Sequence, residues 1–277
     1  MTVVSLAAAS RAAKHVAATP VDSATTTGRC LQMFVSVLRY AVLDTISLRL
    51  LRVSEIADQA WLLLKVTATP ALLMAIPFGA MVSVVTSGLV NQMGAQSLIG
   101  AASGVGVVRQ GAPITAGLLM GGAAASAIAS DLGARAVREE LDALRVIGVD
   151  PVRSLVVPRF LALLLISPIL CTVIVVSGTT AAFILALTVT DIAPGSYWAS
   201  FGTFTKTVDL WFAMGKTVVF AALVAVISSF RGMNAQGGPK GVADAVNASV
   251  VLNVICIVAA NLVITQLQTM FFPMAIA

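Results

Sequence analysis

Five stretches of this chain stay apolar for about 20 residues or more, the length a helix needs to cross the hydrocarbon core of a bilayer. In lipid, backbone N–H and C=O groups must be satisfied within a helix or a closed barrel. The barrel is excluded by pattern, because the apolar runs are unbroken rather than alternating. Composition points the same way. Charged residues make up 10% of the 277 residues, against about 25% in an ordinary soluble domain. The fold class is therefore an all-α polytopic membrane protein.

The spans fall at about 61–91 (interrupted by Pro70 and Pro77), 111–131, 155–190, 208–230 and 244–272. Pro168 predicts a kink in the third. In the second, Gly117, Gly121, Ala125 and Ala129 form a small-residue stripe that admits another helix closely. Residues 1–28 read as a disordered tail, and 29–277 as one membrane domain. Within 29–58, Leu31, Phe34, Val35, Leu38 and Val42 keep helical spacing, but Arg39, Arg49 and Arg52 are too costly for a span. An amphipathic helix lying in the interface fits this segment. Cations collect before the first span, around residues 131–159 and after the fourth, while the opposite loops hold only Arg109 and Lys206. By the positive-inside rule the N-terminus and the 131–159 loop are cytoplasmic, and the C-terminus is outside.

Several chemistries drop out. Cys30, Cys171 and Cys256 lie far apart, and His15 is the single histidine, so neither a disulfide framework nor a metal centre is expected. GGPKG at 237–241 is not a phosphate-binding loop, and no nucleotide-hydrolysing motif is present. The net charge of +5 is accounted for by membrane-surface residues, with no need for nucleic acid.

Residues 131–159, DLGARAVREELDALRVIGVDPVRSLVVPR, form a charged island between two spans. Val137, Leu141 and Leu144 make a narrow apolar stripe, and Arg135–Glu139 and Arg138–Asp142 are i,i+4 pairs that support one short helix in water. Gly148 followed by Asp150-Pro151 is a stop signal. Physically this is either a solvated linker or a docking helix for a cytosolic partner.

The wording of the island goes further. EELDALRVIGVDPVRSLVVPR resembles the signature of the MlaE/YrbE permeases, as do RQGAPITAGLLMGGAAASAIASDLG, FGAMVSVVTSGLVNQMGA, KTVVF and GPKGVADAVNASVV, all in order. The Ala-rich composition is similar to the actinobacterial YrbE branch. The resemblance implies the permease subunit of an ABC-type lipid transporter in a bacterial inner membrane. Its implied partners are a second YrbE-type permease, a cytosolic ATPase pair and Mce-domain proteins outside. No cofactor is implied in this chain, since ATP and Mg would sit on the ATPase. Residues 134–147 become the coupling helix, with Arg138, Glu139, Glu140, Asp142, Ala143 and Leu144 as its ATPase-coupling positions. The chain departs from the family at Glu140 (usually Gln), Arg145 (usually an acid), Ala123 (often Arg) and Gln110 (usually Glu). A heterodimer, with the partner subunit carrying the usual residues, would explain these changes.

Four polar residues enter the membrane region. Asp209 and Lys216 are seven apart on one face of the fourth span. An unpaired charge there costs at least about 2.5–3.5 kcal/mol. Arg109 enters at the depth of Asp209, so an Arg109–Asp209 pair is expected, leaving Gln110 to offer Lys216 a neutral carbonyl oxygen. This group either holds the spans together or lines the lipid path. Asn261 and Gln266 are expected to hydrogen-bond between helices. Met81, Val85, Leu89 and Met93 are candidate lipid-lining positions suited to flexible acyl chains. Two other functions fit the composition: a proton-coupled transporter using Asp131, Asp209 and Lys216, and a non-transporting membrane scaffold.

Overall fold

The computed structural model describes residues 26, 28–43, 53–92, 94, 98–190 and 192–271, and every regular element among them is helical. Helix α1 covers 28–43. Five rods long and apolar enough to cross a membrane follow: α2 (Val53–Gln92), α3 (Ile99–Val137), α5 (Val157–Thr190), α7 (Thr207–Met233) and α8 (Gly238–Phe271). Between them lie the short helices α4 (Glu140–Val146) and α6 (Pro194–Phe204), at opposite ends of α5.

Four of the five spans are longer than the apolar runs alone indicate. The first begins at Val53, absorbing the end of the segment read as an interfacial helix over 29–58; residues 44–52 lie outside the described residues. The second begins at Ile99 rather than 111, because a π-turn at Val105–Gly111 carries the helix through Arg109 and Gln110. Helix α6 is an addition, announced by Pro194 at its first turn and by aromatics at 197, 198, 201 and 204.

Rod α3 is the centre of the bundle. In its most apolar stretch 67% of residues are buried, against 28% in α2 and 22% in α8. Lipid supplies no hydrophobic drive between helices, so close van der Waals contact must hold them. The small-residue stripe provides it: a Cβ on Gly117 would stand 2.8 Å from Phe220, and one on Gly121 2.8 Å from Ile257, with Ala125 and Ala129 buried between. The stripe is therefore the seat of α7 and α8. Helices α2 and α5 touch backbone to backbone, since a Cβ on Gly79 would lie 2.1 Å from the Gly178 carbonyl oxygen.

Helix α1 carries two apolar faces. Val37 and Ala41 are buried on the bundle, with Cys30, Met33 and Phe34 packed beside them. Leu31, Val35, Leu38 and Val42, most of the stripe expected to define the helix, remain exposed on the neighbouring face. Helix α1 lies at the α4 end of the bundle, where Arg153 stacks 6.0 Å over the Tyr40 ring. The hydrogen bond from Tyr40 to the Asp150 carboxylate, and that carboxylate's charge, push the phenol above its usual pKa.

Candidate functional site

Two polar constructions stand out in this apolar chain, one at the α4 end and one inside the bundle.

At the α4 end, α3 stops at Val137 and Glu139 takes a left-handed backbone with φ of 59°. That conformation costs a non-glycine residue roughly 1–2 kcal/mol, and it breaks the helix expected to run unbroken over 134–147. The expected Arg135–Glu139 and Arg138–Asp142 pairs do not form, because the break at Glu139 takes the residues after it out of helical register with those before it. Arg135 instead meets Asp131 at 3.3 Å and Glu140 at 3.8 Å, Arg138 meets Glu140 at 3.0 Å, and Asp142 meets Arg145 at 2.7 Å. The stop at Gly148 is as expected. With φ of 80°, its N–H bonds the Arg145 carbonyl at 3.1 Å and the next N–H reaches Leu144 at 2.9 Å, a Schellman closure. Asp150 then opens the following helix by accepting the Val152 N–H at 2.9 Å.

Only Leu141 anchors α4 by burial. Glu140 and Leu144 are half-buried, whereas Arg138, Glu139, Asp142, Ala143, Val146 and Ile147 are exposed. The helix thus presents acids beside bare aliphatic side chains. Behind it, the described residues leave a cleft of about 480 Å³ lined by Glu55, Arg135, Glu140, Leu144 and Leu155 among others.

Inside the bundle, the π-turn of α3 aims Arg109 and Gln110 at α7 and α8. Such turns insert an extra residue and re-aim side chains, and they recur at functional sites. The expected Arg109–Asp209 pair is present, with Arg109 Nε 2.8 Å from Asp209 Oδ1, a charge contact rather than a well-directed hydrogen bond. The same carboxylate caps α7 by accepting the Lys206 N–H at 3.1 Å, and it takes a further hydrogen bond from Gln268 at 3.4 Å.

Lys216 is buried, and its partners differ from expectation. Its ammonium donates to the Arg109 carbonyl at 3.2 Å and the Thr265 hydroxyl at 3.1 Å. Pro113, four residues beyond Arg109, has no N–H to offer that carbonyl, so the lysine takes the acceptor the proline frees. Gln110 does not serve Lys216. Its oxygen accepts from Asn261 at 3.3 Å and its amide donates to Thr265 at 3.3 Å. Asn261 bridges helices as expected, but Gln266 is exposed and Gln268 takes the inward role. Arg109 and Lys216 face Asp209 as the one carboxylate of this network, leaving it one positive charge in excess among the described residues. Arrayed donors and fixed charge can hold helices together or bind a polar group. Met81, Val85 and Leu89 form an exposed stripe on α2; Met93 lies outside the described residues.

A 30% identical relative, a probable ABC transporter permease protein of Synechocystis sp., aligns over 63% of this chain and 66% of its own length. The chloroplast protein TRIGALACTOSYLDIACYLGLYCEROL 1 of Arabidopsis thaliana is also 30% identical, over 64% of this chain and 50% of its own. The intermembrane phospholipid transport system permease protein MlaE of Haemophilus influenzae is 24% identical over 63% and 67%. The chain thus spans just under two thirds of the first relative's length. The family model described as Permease MlaE matches residues 56–267, from the first turn of α2 almost to the end of α8, and by that match the chain belongs to the MlaE permease family.

Proposed function

We propose that this chain is the permease subunit of an ATP-driven lipid transporter, with α4 as the element that receives force from a separate ATPase. A permease is a multi-pass transport subunit rather than an enzyme, so the work of hydrolysis belongs elsewhere. ATP and Mg sit on that partner. The observation that carries the reading is α4 itself: a seven-residue helix anchored by Leu141, with Glu139, Asp142, Val146 and Ile147 turned outward. Adjoining exposed aliphatic side chains at the end of a water-facing helix are the make-up of a protein contact rather than of a solvated linker.

In this reading the α4 end is cytoplasmic, in keeping with Arg135, Arg138, Arg145 and Arg153 around it. The N-terminus lies on the same side of a bacterial inner membrane. A second permease subunit faces this one, in a heterodimer whose other half supplies the acid that Gln110 lacks. Mce-domain proteins bind outside. The lipid meets the exposed stripe of Met81, Val85 and Leu89, and the cluster around Lys216 holds α3, α7 and α8 as the wall behind it. The names of the Synechocystis and Haemophilus relatives support the motor-driven and the lipid parts of this reading, respectively.

The test is affinity purification in mild detergent, wild type beside Glu139→Arg/Asp142→Arg. ATPase activity is expected to accompany the wild type and to be lost with the double variant at unchanged yield of the chain. A wild-type chain that brings down no ATPase would overturn the proposal and return attention to proton coupling.

A further inference from the structure

The α4 helix is tied to the membrane core by a line of alternating charges. Glu140 on α4 meets Arg135 in the last turn of α3, and Arg135 meets Asp131 one turn earlier. The other oxygen of Asp131 pairs with Nη2 of Arg159 on α5, whose Nη1 donates to the Leu155 carbonyl. Arg159 is 4% exposed and Asp131 43%. The line therefore begins at a water-facing helix and ends in a cation that cannot leave the protein interior without its counter-charge.

Two clefts border this line among the described residues. One, of about 480 Å³, lies between α4, the first turn of α2 and the π-turn at Val152–Val156 that leads into α5. The other, of about 290 Å³, is lined by Gln59, Leu62, Leu63, Asp131, Arg135 and Arg159 among others. Arg135 lines both. Helix α4 is thus thinly packed against the bundle, with Leu141 as its buried residue. The larger cleft leaves α4 space to shift, the smaller leaves space beside Asp131 and Arg159, and the charges keep the helix attached. A close-packed contact would resist such a shift, and water alone would not transmit it.

We propose that Asp131 is a positioning residue that passes displacement of α4 to α5 through the buried Arg159. From there the motion can continue along α5, a single helix from Val157 to Thr190. Helix α5 lies backbone to backbone on α2 at Gly178 and Gly79, two residues before Met81 in the exposed α2 stripe. A push on Glu140 is carried by Arg135 to Asp131, and Arg159 moves with its carboxylate because an unpaired buried guanidinium is costly. This inference rests on the reading of α4 as the ATPase-contacting helix.

The experiment uses the chain purified with its ATPase, reconstituted into vesicles of phosphatidylethanolamine and phosphatidylglycerol carrying a fluorescent phospholipid. ATP hydrolysis and lipid movement are measured on the same sample for wild type, Asp131→Asn and Asp131→Glu. Asp131→Asn keeps an oxygen for Arg159 but loses the charge that joins it to Arg135. Its expected result is hydrolysis within about twofold of wild type and lipid moved per ATP down about fivefold or more, the low end of ordinary coupling between sites. Asp131→Glu is expected to recover most of that ratio. An unchanged ratio in Asp131→Asn overturns the inference while leaving the ATPase reading intact. A fall in hydrolysis, lipid movement and complex yield together, with no recovery in Asp131→Glu, shows a structural staple and also overturns it. If wild type carries no ATPase, the reading of α4 fails, and this inference with it.

Discussion

Two arginine–aspartate pairs hold this bundle at different levels, and they are built in opposite senses. In Arg159–Asp131, at the α4 end, the cation is 4% exposed and the acid 43%. In Arg109–Asp209, inside the bundle, the cation is 18% exposed and the acid 5%. Each pair has a buried partner that depends on the other and a wetter partner that does not. The dependence is on Asp131 at one level and on Arg109 at the other. Breaking a pair by removing the wetter member strands a charge, whereas removing the buried member releases one into water.

Arg109→Ala is expected to do the most damage. It leaves the Asp209 carboxylate with the Lys206 N–H and Gln268 and with Lys216, beyond ion-pair distance, as its remaining counter-charge, a loss of about 3–5 kcal/mol for a buried pair broken at one partner. Thermal unfolding in detergent should show a larger drop in Tm for it than for any single substitution at the Asp131 level. Adding Asp209→Asn should recover much of that drop, because the stranded charge is then gone. A double variant no more stable than Arg109→Ala would mean that Arg109 acts through something other than Asp209.

Asp131→Ala is expected to cost less, about 1.5–3 kcal/mol for a charged hydrogen bond. Arg159 keeps the Leu155 carbonyl, and water reaches the place of the half-exposed carboxylate. Equal Tm losses for Asp131→Ala and Arg109→Ala would erase the distinction between the two levels. Gln268→Leu comes lower still, at about 0.5–1.5 kcal/mol, since its 3.4 Å bond to Asp209 is long and the carboxylate keeps two other partners. The same melting series ranks all three.

The two pairs also differ in how plainly the sequence announces them. Five apolar runs specify five rods through length alone. Arg109 and Asp209 can be paired because they sit at matching depths on adjacent spans. Arg159 and Asp131 are not joined by such reasoning, since Asp131 closes the second apolar run, Arg159 lies at the start of the third, and each reads as an ordinary interfacial charge. The i,i+4 scheme for the island fails for one reason: Glu139 adopts a left-handed turn that glycine, asparagine or aspartate would normally signal. Helix α6 escapes a search for spans because eleven residues with mixed polarity fall below the length of one, although its aromatic spacing is visible. Lys216 illustrates a subtler gap. Its acceptor is a backbone carbonyl freed by Pro113, so the signal is a missing N–H rather than a complementary side chain.

Lys216→Met is expected to have the smallest effect on stability, and it sharpens the contrast furthest. Unlike either arginine, this lysine meets no carboxylate within ion-pair distance among the described residues, and its two acceptors are neutral. Removing the cation relieves its desolvation and leaves the Arg109 carbonyl and the Thr265 hydroxyl short of one donor each. These opposing terms are each on the order of 1–3 kcal/mol and largely cancel. The expected outcome is a Tm close to wild type, with lipid movement in vesicles retained, as befits a wall that holds three helices in place. Retained Tm with lipid movement lost would instead put the ammonium on the lipid's route, and the excess positive charge of the cluster would then be a binding feature rather than a structural one.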